Sequence, residues 1–232
     1  DNRVHDQVTT RRMRIVKYRG SSHGTPEYPF LIDDRGVSVM PITSAGLQHR
    51  ISLDIVPTGV ADLDAMLGKG GFYRGSSVLL SGLAGTGKST FSAWFANAVC
   101  KRGERCLYFA FEESPDQIVR NMRSAGIDLQ KHIDSGLLMF ESARPTLYGL
   151  EMHLTRMHRD IVQFEPTAVV VDPISAFRGV QSEIHGTLLR LADICKERGI
   201  TAFFTSLSLA SDHTTEADRG VSSLMDTWIS LT

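Results

Sequence analysis

Gly82-Leu83-Ala84-Gly85-Thr86-Gly87-Lys88-Ser89 is the stretch that decides how this chain folds. It fits G-x-x-x-x-G-K-S/T at every fixed position. The glycines let backbone N–H groups turn inward around phosphate oxygens. Lys88 supplies a positive charge for β- and γ-phosphates, and the Ser89 hydroxyl suits a Mg2+ ligand. Thr90, the next residue, joins them as a candidate nucleotide-binding residue. A glycine-rich turn can match such a pattern by chance, so context matters. Residues 76–81 read as a buried strand, and residues 89–102 as a helix whose positive end faces the same anion. ATP is the expected ligand and Mg2+ the expected metal.

Outward from this loop, strands and helices alternate. Helices are predicted at 61–67, 114–124, 147–164 and 184–198. Strands are predicted at 105–111, 137–141, 168–172, 201–205 and 225–231. That alternation predicts an α/β fold, a mainly parallel sheet with helices on both faces, as in RecA-like P-loop NTPases. Val169-Val170-Val171-Asp172 is an apolar, β-branched run, as a strand buried on both faces requires. Asp172 ends that run at the edge where open α/β sheets gather ligands, so it is the candidate second Mg2+ ligand. A capping Asp at a strand end is the plainer alternative. Glu112 and Glu113 follow the 105–111 strand. Side-chain alternation gives them different directions and therefore different jobs. A general base beside a γ-phosphate is one reading, and an acidic helix start at Ser114-Pro115-Asp116 is the other.

Residues 1–55 differ in character. Residues 12–18 read as a strand with basic residues interleaved, which would put Lys17 and Arg19 on one face. Residues 20–29 read as a turn or linker, with short strands at 30–32 and 37–40. This region is expected to have no core of its own. The chain's 232 residues suit one α/β domain with an appendage. A net charge of −1 argues against a protein held on nucleic acid by bulk charge. No apolar run reaches membrane-spanning length. Three scattered cysteines read as intracellular thiols, and the eight histidines lack metal-ligand spacing. The last predicted strand stands at the chain end without cover, so the natural chain is expected to continue.

Several motifs together resemble the KaiC family of RecA-like ATPases. They are Pro57-Thr58-Gly59-Val60 with Leu63-Asp64, then Gly70-Gly71-Phe72, the 82–89 loop, Phe111-Glu112-Glu113-Ser114 and Val171-Asp172. Typical members carry two tandem modules stacked as hexameric rings. Residues 1–45 look like the end of a first module and a linker, and 46–232 like most of a second. The resemblance implies Glu112 as general base with Glu113 as its partner. It implies Mg-ATP held by Lys88, Ser89 and Asp172. It makes Lys17 and Arg19, in Lys17-Tyr18-Arg19-Gly20, an element that reaches a neighbouring subunit's ATP in the first ring. It makes Ser222 and Ser223 phosphoacceptors, with Arg178 nearby. RecA-like strand order is expected to hold the last strand away from its own phosphate loop, so that transfer runs between subunits.

The implied activity is a Mg-dependent ATPase and serine autokinase/autophosphatase of a circadian clock or related signalling system. The implied partner is the chain itself, as a cytoplasmic homohexamer, with other clock or signalling proteins possible. Some positions depart from the clock pattern: Ser222-Ser223 replaces Ser-Thr, and Ala217, Pro173 and Ala125 stand where other residues are usual. Two other functions compete. A DNA-handling RecA-type ATPase would need basic loops, but the segments after Asp172 and Thr205 are not strongly basic. A nucleotide-gated scaffold would need no base, which Glu112 and Glu113 argue against.

Overall fold

The computed structural model describes residues 2–5, 8–20, 27–33, 36–39, 51–144, 149–177, 179–208 and 223–232. Six parallel strands make the central sheet. They are β7 (Ser77–Gly82), β8 (Cys106–Ala110), β9 (Leu138–Ser142), β10 (Ala168–Asp172), β11 (Thr201–Leu207) and β12 (Thr227–Leu231). Their order is β12-β7-β11-β10-β8-β9. Every residue of β7, β8 and β10 is buried, because helices cover both faces.

Side-chain alternation divides the core in two. Val78, Leu80, Tyr108, Val170 and Phe203 face α2 (Lys88–Lys101) and α3 (Pro115–Ser124), with Phe95, Val99 and Ile118. Leu79, Leu107, Val169, Val171 and Phe204 face α5 (Leu150–Phe164) and α6 (Gln181–Glu197), with Leu154, Met157, Leu188 and Leu191. The predicted strand and helix alternation is therefore the observed fold, RecA-like α/β. Two short elements, a β5–β6 ribbon (Ile55–Val56 with Phe72–Tyr73) and helix α4 (Gln130–Asp134), were not predicted. They are too short to show a period. The short helix α1 (Ala61–Met66) matches its expectation.

The N-terminal strands β1 (Asn2–His5), β2 (Val8–Met13), β3 (Tyr28–Asp33) and β4 (Gly36–Val39) form a separate antiparallel sheet. Leu31 is buried, and the sheet lies against α5, where the Arg12 guanidinium donates to Glu151 at 3.0 Å. One expectation fails here. The predicted strand through residue 18 stops at Met13, and residues 14–18 are irregular. The reason lies in pairing: β2 meets β3 only at Arg12↔Pro29 and Met13↔Tyr28. Alternation therefore does not place Lys17 and Arg19 on a common strand face, although both are exposed.

A second expectation also needs correction. The last strand is not remote from the phosphate loop. β12 is the direct neighbour of β7, with Thr227↔Val78 and Leu231↔Gly82 in register. No helix among the described residues is long and apolar enough to cross a membrane.

Candidate functional site

Strand β7 ends in the loop that opens α2. Gly82 must be glycine, since a Cβ there would come within 2.7 Å of Thr86 Oγ1 and 2.9 Å of the Leu231 carbonyl. Gly87 has φ +92, a left-handed conformation that an L side chain rarely takes. Gly87 is also the N-cap of α2, and no side chain caps the helix. Its first N–H groups are the kind that bind anions. Lys88 Nζ donates to the carbonyls of Gly82 (2.9 Å) and Leu83 (2.6 Å), so its stem folds back over the loop. Thr86 Oγ1 donates to the Leu83 carbonyl at 2.9 Å, which tightens the turn. Ser89 and Thr90 are half-buried on the first turn of α2.

Two acids stand close to Lys88. Burial pushes the Lys88 ammonium below its usual value, and the charges of Asp172 and Glu112 oppose that shift. Asp172 is buried at the C-terminal end of β10. It pairs in register with Ala110, the last residue of β8, so Glu112 lies two residues past the neighbouring strand end. The Phe111 N–H donates to the Asp172 carbonyl at 2.9 Å and fixes that spacing. Asp172 also accepts hydrogen bonds from Tyr108 Oη at 2.6 Å and from Thr205 Oγ1. Sequence reasoning missed both hydroxyls. Tyr108 and Thr205 belong to apolar strands and read as core or ladder residues.

Glu112 and Glu113 lie past the end of β8, outside the strand to which alternation applies, and their surroundings differ. Glu112 is exposed. Glu113 accepts from Asn121 Nδ2 of α3 at 3.1 Å. Helix α3 is itself fixed by a capping box, with Ser114 and Gln117 bonding each other's backbone and Pro115 in the first turn. The helix-start reading of this segment is thus real, and it leaves Glu112 available at the strand tip.

These residues fit a magnesium nucleotide. Ser89 and Asp172 offer one hydroxyl and one carboxylate, and the loop offers N–H groups and Lys88. Among the described residues no cluster of three or more His, Cys, Asp and Glu could hold a metal by itself. Mg2+ needs none when phosphate oxygens and water complete its shell. The cavity behind Phe111, lined partly by His153 and Asp160, is about 20 Å³. That holds a water, not a nucleotide.

Ser223 is exposed before β12, at the sheet edge opposite the loop. Ser222 and Arg178 lie outside the described residues, as does Ala217. Lys17 and Arg19 sit beyond the end of β2 in the N-terminal region.

The family model described as "ATPase: KaiC" matches residues 1–44 and 56–232. The Circadian clock protein KaiC2 of Synechocystis sp. is 49% identical over 100% of this chain and 41% of its own length. The Circadian clock oscillator protein KaiC of Acaryochloris marina is 37% identical over 99% of this chain and 44% of its own. That of Parathermosynechococcus lividus is 36% identical, covering 99% and 43%. The chain thus spans less than half the length of these curated relatives. With the family's model matched along most of its residues and the phosphate loop, strand-end acid and glutamate pair in place, the chain belongs to the KaiC ATPase family.

Proposed function

We propose that the chain is the ATP-binding part of a KaiC-type ATPase and serine autokinase of a circadian clock or related system, working as a cytoplasmic homohexamer. The observation that carries the ATPase reading is the convergence of Lys88, Asp172 and Glu112 at one sheet edge. Ser89 and Asp172 would hold Mg2+, which when bound neutralises charge on the β- and γ-phosphates. Lys88 and the N–H groups of residues 85–89 orient the same phosphates. Glu112 takes the proton of the attacking hydroxyl. The oxygen of that hydroxyl then bonds the γ-phosphorus as the bond to the β-phosphate oxygen breaks and ADP leaves. Water as the attacking group gives hydrolysis, and a serine hydroxyl gives phosphoserine.

Ser222 and Ser223 are the proposed acceptors. Strand register supports transfer between subunits. Ser223 precedes Thr227, which pairs with Val78, whereas the phosphate loop follows Gly82 at the far end of the same strand. From Ser77 to Gly82 a strand rises ~17 Å at about 3.3 Å per residue. A neighbouring subunit's loop is the one to which such a serine can be presented. Each phosphate would add about −1.5 to −2 charges beside Asp226. Lys17 and Arg19 are the proposed contacts to ATP in the ring of a preceding module. The two separate stretches of family match, 1–44 and 56–232, support that division.

The test mixes two forms of the full-length protein. One carries Lys88→Ala and keeps its serines. The other carries Ser222→Ala/Ser223→Ala and keeps its loop. Radiolabelled ATP is expected to mark the Lys88→Ala form at Ser222 or Ser223. Label at other residues would remove the acceptor assignment. Absence of label together with absence of ADP would remove the catalytic one.

A further inference from the structure

Asp172 is held from both sides. Tyr108 Oη, on β8, donates to Asp172 Oδ2 at 2.6 Å, and Thr205 Oγ1, on β11, donates to Oδ1. These strands flank β10 in the sheet, so each neighbour sends one hydroxyl to one carboxylate oxygen. Tyr108 is fully buried, and its ring packs on Phe140 at a centroid distance of 4.9 Å. Phenylalanine would fill the same space and make the same ring contact. What tyrosine adds is the hydroxyl, which must find a partner once buried. It finds Asp172, one of the two acids whose charges act on Lys88.

The chemistry of that grip is specific. An ionised carboxylate has roughly four accepting positions. Two are filled by the hydroxyls, which fixes the carboxylate plane and leaves capacity on both oxygens. A carboxylate fixed in this way loses no rotational freedom when a metal's ligand shell closes on it. Outer-shell groups that orient a ligand act in this manner.

We propose that Tyr108, acting with Thr205, is a positioning residue that aligns Asp172 for the magnesium nucleotide. This rests on the reading of Asp172 as an acid that helps hold Mg2+. Tyr108 touches neither nucleotide nor metal in this account and works through Asp172 alone.

The test measures ATP affinity of the full chain by calorimetry, in EDTA and in Mg2+, beside thermal melting. For Tyr108→Phe, affinity in EDTA is expected to match the wild type. The gain on adding Mg2+ is expected to shrink by about 10-fold or more, the usual cost of losing an outer-shell partner. An intact gain overturns the proposal. So does an equal loss in both conditions, which marks a purely structural tyrosine. Thr205→Val removes the other hydroxyl at similar volume and is expected to lose the same gain, so it decides the matter should Tyr108→Phe fail to fold. Asp172→Asn separates the two readings. If it keeps the Mg2+ gain, the assignment of Asp172 is wrong. If it loses the gain while Tyr108→Phe keeps it, positioning alone is wrong.

Discussion

The two ends of strand β7 are built for opposite purposes. At the Gly82 end the backbone is left open. Glycines turn it, no side chain caps α2, and Lys88 and the two acids surround the opening. At the Ser77 end the backbone N–H and carbonyl of Ser77 are both tied down. The Ser77 N–H donates to Asp226 Oδ2 at 2.7 Å, its carbonyl accepts from the Asp226 N–H at 2.8 Å, and Lys196 pairs with Asp226 at 3.0 Å. One end keeps donors for a ligand, and the other closes donors to seat the edge strand β12. A parallel sheet aligns all its ligand-facing strand ends on one side, so the same topology that assembles the site removes Ser223 from it.

Substitutions at the open end are expected to act on chemistry and binding. Glu112→Gln keeps the shape and removes the proton acceptor, so phosphoryl transfer should slow by roughly 10²–10⁴-fold. ATP affinity should survive, and single-turnover transfer with labelled ATP separates the two. Glu113→Gln should act less on the rate, because Glu113 is engaged by Asn121. Lys88→Ala removes the loop's charge. One lost charge-assisted hydrogen bond is worth ~1.5–3 kcal/mol, so ATP affinity should fall by about 10–100-fold in a calorimetric titration. If either substitution left ATP chemistry and binding untouched, the two ends of β7 would not differ as argued.

The closed end is expected to answer in stability. Asp226→Ala leaves the N–H of buried Ser77 without its acceptor, which should cost ~1–3 kcal/mol in a denaturant titration. Lys196→Ala should cost less, since an ion pair with a half-exposed acid is worth about 0–1 kcal/mol. ATP affinity should stay constant in both. A phosphate on Ser223 would bring like charge to Asp226, so mimicry by Ser223→Asp should shift the Asp226→Ala cost. A double-mutant cycle measures that coupling.

The same contrast explains what the sequence made legible. The fold was readable because β-branched apolar runs such as Val169-Val170-Val171 alternate with helical periods. The loop was readable because its geometry demands glycine and lysine at fixed places. Asp172 was readable as an acid that ends an apolar strand, and Glu112 as one that follows such a strand. Tyr108 and Thr205 were not, because a hydroxyl that reaches a carboxylate on the next strand leaves no spacing signal along the chain. Neither was the place of β12, since strand order is set by packing between elements distant in sequence: residues 227–231 pair with residues 78–82. Lys17 and Arg19 show the opposite error. Alternation in sequence suggested a strand that found no partner beyond Met13.

The smallest effect lies outside both ends of β7 and tests whether acid attacks the site or the frame. His132 is buried in α4, and its Nε2 lies 3.0 Å from Asn97 Oδ1 of α2. Burial holds its imidazole below the usual histidine value, and the charges of Lys131 and Lys101 push the same way, against Asp128. His158 is lowered too, by burial and then by Arg198. In the unfolded chain these rings regain values near 6.5. Between the lowered folded value and ~6.5 the unfolded chain therefore binds more protons, and stability rises with pH. The contribution is complete above about pH 6.5 and is lost as pH falls toward the folded values. Melting temperature should fall as pH drops below about 6.5 toward the folded values. His132→Gln, which cannot titrate and can still bond Asn97, should flatten that slope. A slope unchanged in His132→Gln, and in the matching His158→Gln, would mean that acid acts on other groups and that the helical frame is not the pH-sensitive part.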